Sequence, residues 1–175
     1  MIIFYQLSLA IIRLKYSFVT KWAVFRKGLR GRGTLKISGR GKVIMGDNVL
    51  IDGRGDPVIP FIHHKDVVIS ICSTSFVNGV RFGRQTKITI GEYAILADAR
   101  ILDTDFHSIY PDRWSPDAAV ESKPIIIVNN VWVGGAAHIL KAVKIGDNSV
   151  IGFASVVTKD VLPNCVVAGN LAWRT

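Results

Sequence analysis

The segment Asp103 to Tyr110, DTDFHSIY, sets His107 two residues after Asp105, four after Asp103 and three before Tyr110. Imidazole titrates near neutral pH, so a histidine on a loop can take a proton from a nucleophile and hand it back. It works best when a partner fixes its tautomer. Asp105 and Asp103 are the acids at hand and a backbone carbonyl would also serve; Asp105 is the preferred partner. Acids beside a loop histidine also occur as ordinary solvated turn residues. The remaining histidines suit chemistry less well. His63 and His64 are adjacent in FIHHKD, where a surface or packing role is expected, and His138 directly precedes a periodic aliphatic, Ile139, and should point outward. No ligand spacing for a metal emerges, so no metal is expected. Cys72 and Cys165 lie far apart without CxxC spacing or basic neighbours. They read as small apolar side chains in a reducing cytoplasm.

The elements that must hold His107 are legible in the beat around it. From Ile127 onward an aliphatic returns every six residues: Ile127, Val133, Ile139, Ile145, Ile151, Val157. A small or β-branched residue follows four later at Ala137, Val143, Ser149 and Ser155. Period two would give simple alternation and period 3.6 would give a helical stripe. Six fits neither. It suits a short strand and a tight turn, repeated, with one aliphatic side chain inward per unit. Three units return the chain to its starting face, so Val133 should stack with Ile151, and Ile139 with Val157. Upstream the beat is looser, with Met45 and Ile51, then Ile90, Leu96 and Leu102. The piece from Gly53 to Ser70 is expected as a loop or distorted coil. The stretch from Asp103 to Lys123, with Pro111, Trp114 and Pro116, is expected as a long loop, and long loops in compact solenoids usually carry function.

The chain is 175 residues with net charge +9, enough for one continuous core and a surface that attracts anions. Its aromatics are not interleaved with Lys or Arg in an RNA-binding pattern, and no zinc-finger or basic-zipper spacing occurs, so nucleic acid is not an expected partner. The opening MIIFYQLSLAIIRL is apolar but broken by Gln6 and Ser8 and ended by Arg13, too short to span a bilayer alone. Apolar residues at 4, 7, 11, 14, 18, 22 and 25 keep a helical period. Residues 1–33 therefore read as a basic amphipathic helical segment, and 34–175 as the solenoid with loop 103–123. That helix either lies in a lipid interface or packs on the protein itself or a neighbouring subunit.

The run KPIIIVNNVWVGGAAHILKAVKIGDNSVIGFASVVTKDVLPNCVVAGNLAW resembles the hexapeptide-repeat acyltransferases, and within them the galactoside, maltose and surface-polysaccharide O-acetyltransferases. The resemblance extends from about Val43 to Trp173. It implies a left-handed parallel β-helix, a homotrimer with active sites between subunits, and acetyl-CoA as acyl donor. It also implies that His107 takes the acceptor proton while the hydroxyl attacks the thioester directly. The positions matching the family's CoA groove are Gly135, Phe153, Thr158 and Lys159, with Arg174 as a substitute for missing basic residues in the tail; Trp132 also matches the family, either as a ligand contact or as a corner aromatic filling the subunit junction. Phe153 departs from the usual small residue, and the tail AGNLAWRT carries Leu171 and Trp173 where the family has proline and a basic residue. The expected function is O-acetylation of a sugar hydroxyl in capsule or lipopolysaccharide assembly. A sugar or lipid-linked sugar would be the acceptor, in the cytoplasm or peripheral on the inner face of its membrane. The alternatives are N-acetylation of a nucleotide-linked amino sugar, with the same base and donor, and a catalytically silent scaffold.

Overall fold

The computed structural model describes residues 23–62 and 65–175. Every regular element among them is a β-strand, and nearly all pairing is parallel. The chain winds as a coil with three faces. The first face stacks Ala23–Phe25, Lys42–Met45, Val68–Ile71, Lys87–Ile90, Ile125–Ile127 and Lys144–Ile145 in that order. The second carries Arg30–Leu35, Phe76–Asn78, Ile95–Ala97, Trp132–Val133, Val150–Ile151 and Val166–Ala168, and the third Ser38–Gly39, Arg81–Arg84, Arg100–Leu102, His138–Leu140 and Val156–Val157. One long strand, Leu50–Ile62, turns a corner and belongs to both the second and third faces.

The six-residue beat has the expected meaning. Val133 pairs in register with Ile151, Ile139 with Val157 and Ile127 with Ile145, each 18 residues on. Ile127, Val133, Ile139, Ile145, Ile151 and Val157 are at most 2 % exposed and join one continuous core. Each such side chain contributes about 1.5–3 kcal/mol by leaving water. Corners are made by residues with left-handed backbone, including Asn48, Asn130, Asn148 and Asn164 at φ between 54° and 57°, a conformation that asparagine tolerates best among non-glycine residues. Asn130 Nδ2 donates to Asn148 Oδ1 at 2.9 Å, and Asn148 Nδ2 to Asn164 Oδ1 at 3.0 Å, so the corners also bond coil to coil.

Three expectations need correction or narrowing. Residues 23–33 are not helical: Ala23–Phe25 and the start of Arg30–Leu35 pair into the sheets. Ala23 and Phe25 pack against the core from the first strand, and Leu29 is buried at the corner that follows. Residues 1–22, which carry the rest of the proposed helix, lie outside the described residues. Secondly, Gly53 to Ser70, expected as a loop or distorted coil, is the distorted coil and not the loop: it is largely strand, with Arg54–Asp56 exposed and the pairing with Arg30–Leu35 slipping between Gly33 and Leu35. Thirdly, Leu102 does not face inward. Ile101 takes the core position in register with Ile139. The corner between Leu96 and Ile101 is one residue shorter than its counterpart between Val133 and Ile139, which shifts the beat from six to five.

Candidate active site

Loop 103–123 leaves the corner between the third and first faces, and its neck is a short antiparallel ladder. The Lys123 amide donates to the Asp103 carbonyl at 2.9 Å, Thr104 bridges Ser122, and the Asp105 amide donates to the Glu121 carbonyl at 3.1 Å. Ser122 Oγ donates to Thr104 Oγ1 at 2.8 Å. The base of the neck is a buried carboxylate. Asp103 is fully buried and accepts from the Gln85 amide at 2.7 Å, the Thr86 amide at 2.8 Å and the Thr86 hydroxyl at 2.9 Å. Those bonds occupy it as a structural anchor, so Asp103 is not presented to His107.

Asp105 sits higher in the neck, and its Oδ1 receives the Lys141 ammonium at 2.8 Å. The same ammonium reaches Glu121 Oε2 at 3.3 Å, and Glu121 Oε1 meets Lys123 at 2.6 Å. Lys141 therefore ties the two ends of the loop together. The hydrogen bond to Asp105 raises the Lys141 pKa above its ordinary value, with Glu121 adding to it against a smaller burial effect. Lys123 and Lys141 hold the Glu121 carboxyl below its usual range. Asp105 Oδ2 is buried and has no hydrogen-bond partner among the described residues.

His107 is exposed, but the residues beside it are pinned. Phe106, at φ 62°, lies over Gly83: a Cβ there would fall 2.5 Å from Phe106 Cζ and 2.8 Å from Leu102 Cδ2. Ser108 is buried, its hydroxyl near Asp112 Oδ1 at 3.3 Å and accepting from the Tyr110 amide at 3.2 Å. The His107 amide donates to the Asp105 carbonyl at 2.7 Å. The imidazole thus projects from a fixed backbone into a hollow of about 490 Å³ lined by Asp105, His107, Ser108, Ile109, Arg113 and Trp114. No described residue hydrogen-bonds its ring. The arrangement can present an unencumbered imidazole, with an apolar and aromatic wall, to a small acceptor.

The expected donor residues fall into two groups. Thr158 and Lys159 lie on the same corner as the loop, two coils further on, which is about 10 Å at the usual strand spacing. The C-terminal strand Trp173–Arg174 folds back antiparallel on Val166–Ala168, and this brings Arg174 to the same hollow of about 240 Å³ as Thr158, Lys159 and Trp173. Two cations, Lys159 and Arg174, thus face one cavity. Gly135 and Phe153 meet at another corner, where a Cβ on Gly135 would stand 3.3 Å from the Phe153 ring, itself 78 % exposed. Trp132 is half exposed on the second face. The His107 and Arg174 hollows share no lining residue. His138 points outward on the third face, between Arg100 and Val156. His63 and His64 lie outside the described residues.

Sequence reading passed over two contributors to the site, Arg84 and Lys141. Gly83, Leu102 and Leu140 stack in register, and each is followed by a charge: Arg84, Asp103 and Lys141. The alternation of sign along that corner was the available signal, once the 18-residue stacking is extended upstream through the shortened corner. Arg84 is fully buried, donates to the Thr86 carbonyl at 2.7 Å and leaves Nε and Nη1 without partners among the described residues. Burial lowers its pKa to about 10, against the pull of Asp103.

No family model matches the chain. It is 43 % identical over 82 residues to the galactoside O-acetyltransferase of Escherichia coli K12, a match that spans 47 % of this chain and only 40 % of that relative. Among solved structures it resembles the polySia-specific acetyltransferase NeuO, at 28 % identity and TM-score 0.54 over 86 % of this chain and 85 % of that one. The N-acyltransferase AntD of Bacillus cereus matches at TM-score 0.75 over 93 % and 86 %, and at 19 % identity it speaks for the fold alone. The three-faced coil of six-residue repeats and these relatives make the chain similar to known acetyltransferases, although it spans less than half the length of the galactoside O-acetyltransferase it matches.

Proposed function

We propose that this protein is an acetyl-CoA-dependent O-acetyltransferase acting on a sugar hydroxyl. One observation carries the reading: an exposed imidazole at the wall of a hollow, on a long loop whose neck is clamped by hydrogen bonds. Acetyl transfer needs a base for the hydroxyl proton and a way to hold both substrates together. His107 takes that proton as the hydroxyl oxygen attacks the thioester carbonyl. A tetrahedral intermediate forms, the carbon–sulfur bond breaks, and the proton passes to the leaving thiolate of CoA. No acyl-enzyme is required. Lys159 and Arg174 are suited to the CoA phosphates, and the backbone along Gly135 to the pantetheine, where the Phe153 ring narrows the groove. Trp114 and Ile109 offer the apolar wall against which a sugar ring stacks. Asp105 orients the loop and the imidazole through the backbone carbonyl and its Lys141 clamp.

The coil is wound left-handed in this reading, and three copies assemble so that one subunit's His107 hollow faces another's CoA edge. The saccharide acceptor is supported by the galactoside relative and the polySia-specific one. A capsular or lipopolysaccharide intermediate, held on a lipid at the inner membrane face, fits the basic, apolar N-terminal region. An amino group on a nucleotide-linked sugar would use the same base and donor, so the acceptor panel includes both.

His107→Ala tests the chemistry. A positioned base contributes about 10²–10⁴-fold, or about 3–5 kcal/mol of barrier. Turnover of acetyl-CoA with saccharide acceptors should fall by that factor in kcat, with the donor KM and the melting temperature nearly unchanged. His138→Ala, outward on the third face, should stay within a few-fold of the parent. Near-normal turnover in His107→Ala would end this mechanism, and no turnover in the parent with any sugar or amino sugar would favour the scaffold reading.

A further inference from the structure

The charge of this chain is not spread over it. Residues 65–175 contain 11 Lys or Arg and 10 Asp or Glu, close to balance. Residues 23–42, the first described coil and the residue that opens the next, contain seven Lys or Arg and no acid. Arg26, Lys27, Arg30, Arg32, Lys36, Arg40 and Lys42 are all exposed; Arg30, Arg32 and Lys42 lie on strands of the second and first faces, and the other four occupy all three corners of the coil. Among the described residues this coil is also the end of the stack. Ala23–Phe25 pairs only with Lys42–Met45, and Arg30–Leu35 and Ser38–Gly39 pair only with the long strand Leu50–Ile62, among the described residues. The fold therefore closes one end of a nearly neutral column with a cationic ring.

We propose that this ring seats the solenoid end-on, with its axis along the membrane normal, on a bilayer rich in anionic lipid. The inference deepens the membrane contact of the reading above and is independent of the transfer chemistry. Orientation follows from screening. The seven cations lie within about one coil height of each other along the axis, roughly 4.8 Å, which is shorter than the Debye length of about 8 Å at physiological salt. End-on approach engages all of them together, whereas a side-on approach engages only those on one face. The occupant follows from two features. Between Arg26 and Lys42 there is no aromatic on which a nucleic-acid base could stack, and the sequence preceding the ring opens with the mostly apolar stretch from Met1 to Ile12. Headgroup phosphates under an apolar segment match that order of chemistry.

The test uses the full chain and vesicles of phosphatidylcholine alone or with about one third phosphatidylglycerol. The chain should bind the anionic vesicles, ignore the neutral ones, and weaken at least tenfold between about 0.05 and 0.3 M salt. Replacing Arg26, Lys27, Arg32, Lys36, Arg40 and Lys42 by glutamine, with residues 1–22 kept, should weaken binding at least a hundredfold at about 1 kcal/mol per cation. Melting temperature and transfer to a soluble acceptor should stay unchanged. Lys87→Gln with Lys144→Gln, on the first face, should bind as the parent does. On vesicles, amide exchange should slow in 23–42 and not in 144–174. Parent-like binding by a folded six-site variant would overturn the proposal in favour of residues 1–22 alone. Equal binding to neutral vesicles, no binding, tighter binding to single-stranded RNA, or slowing along one whole face would overturn it as well. Loss of activity with intact vesicle binding would leave it standing and count against the transfer reading. If the six-site variant does not fold, the salt titration of the parent and the exchange pattern decide.

Discussion

His107 is positioned by residues that never touch its ring, and Lys141 is the one whose removal should be felt furthest. Its ammonium joins Asp105 at the start of the loop to Glu121 at the end, and with Asp105 both partners are less than a quarter exposed. Lys141→Met would strand Asp105, whose Oδ2 already lacks a partner. We expect a loss of about 1 kcal/mol, the upper end for a partly screened pair, and about a tenfold fall in kcat, with Lys141→Arg restoring most of both. The pH dependence of the stability loss gives a second check. The raised Lys141 pKa means that its contribution is complete below its ordinary value near 10.5 and is lost as pH climbs through the folded value. The lowered Glu121 carboxyl contributes above its ordinary range and fails as pH drops through the folded value. The melting-temperature gap between parent and Lys141→Met should therefore be flat from about pH 6 to 9 and shrink outside that range. A gap that varies within it would show that the clamp is not what Lys141 provides. The loop that carries His107 was legible because the beat stops there. Lys141 was not, because in isolation it reads as another solvated lysine between two aliphatics.

At the scale of the element, one turn of coil is the unit of stability, and it tolerates little at its inward position. Ile145 is completely buried, stacked between Ile127 in register and a bridge to Val161. Ile145→Asp places a carboxylate where no hydrogen-bond donor waits, at a cost of several kcal/mol. The far-ultraviolet signal of the last coils should melt early or be absent at room temperature, and a parent-like melting curve would refute the inward register. The register could be read from sequence between Ile127 and Val157 because every corner there has the same length. It failed at Leu102 because a single residue is missing from the corner after Leu96, which turns the next side chain around. Residues 23–33 misled for a different reason. Six of the seven positions that set the helical spacing precede residue 23, and only Phe25 falls in this stretch, where pairing with Lys42–Met45 and Leu50–Ile62 makes strand.

At the scale of the whole molecule, the three faces differ in what they turn outward. The third face presents Arg81, Arg100 and His138 in register, and the first mixes Ile44, Ser70, Thr89, Ile126 and Lys144. The second presents an unbroken apolar column: Leu50, Phe76, Ile95, Trp132, Val150 and Val166. Ile95, Trp132 and Val166 are about half exposed. A strand face in water would alternate apolar inside with polar outside, so a six-rung apolar column calls for a covering surface. A copy of this chain is the cover that the proposed trimer supplies, and it would seal the column while bringing one subunit's His107 hollow toward another's CoA edge. Ile95→Glu places a charge in the middle of the column without touching either hollow. Light scattering should give the parent about three times its 19.2 kDa chain mass and the variant a single chain. Acetyl transfer should fall with the trimer, while the melting of the individual coil changes little. A variant that stays trimeric would move the interface to another face, and one that becomes monomeric with full turnover would show that each chain holds a complete site.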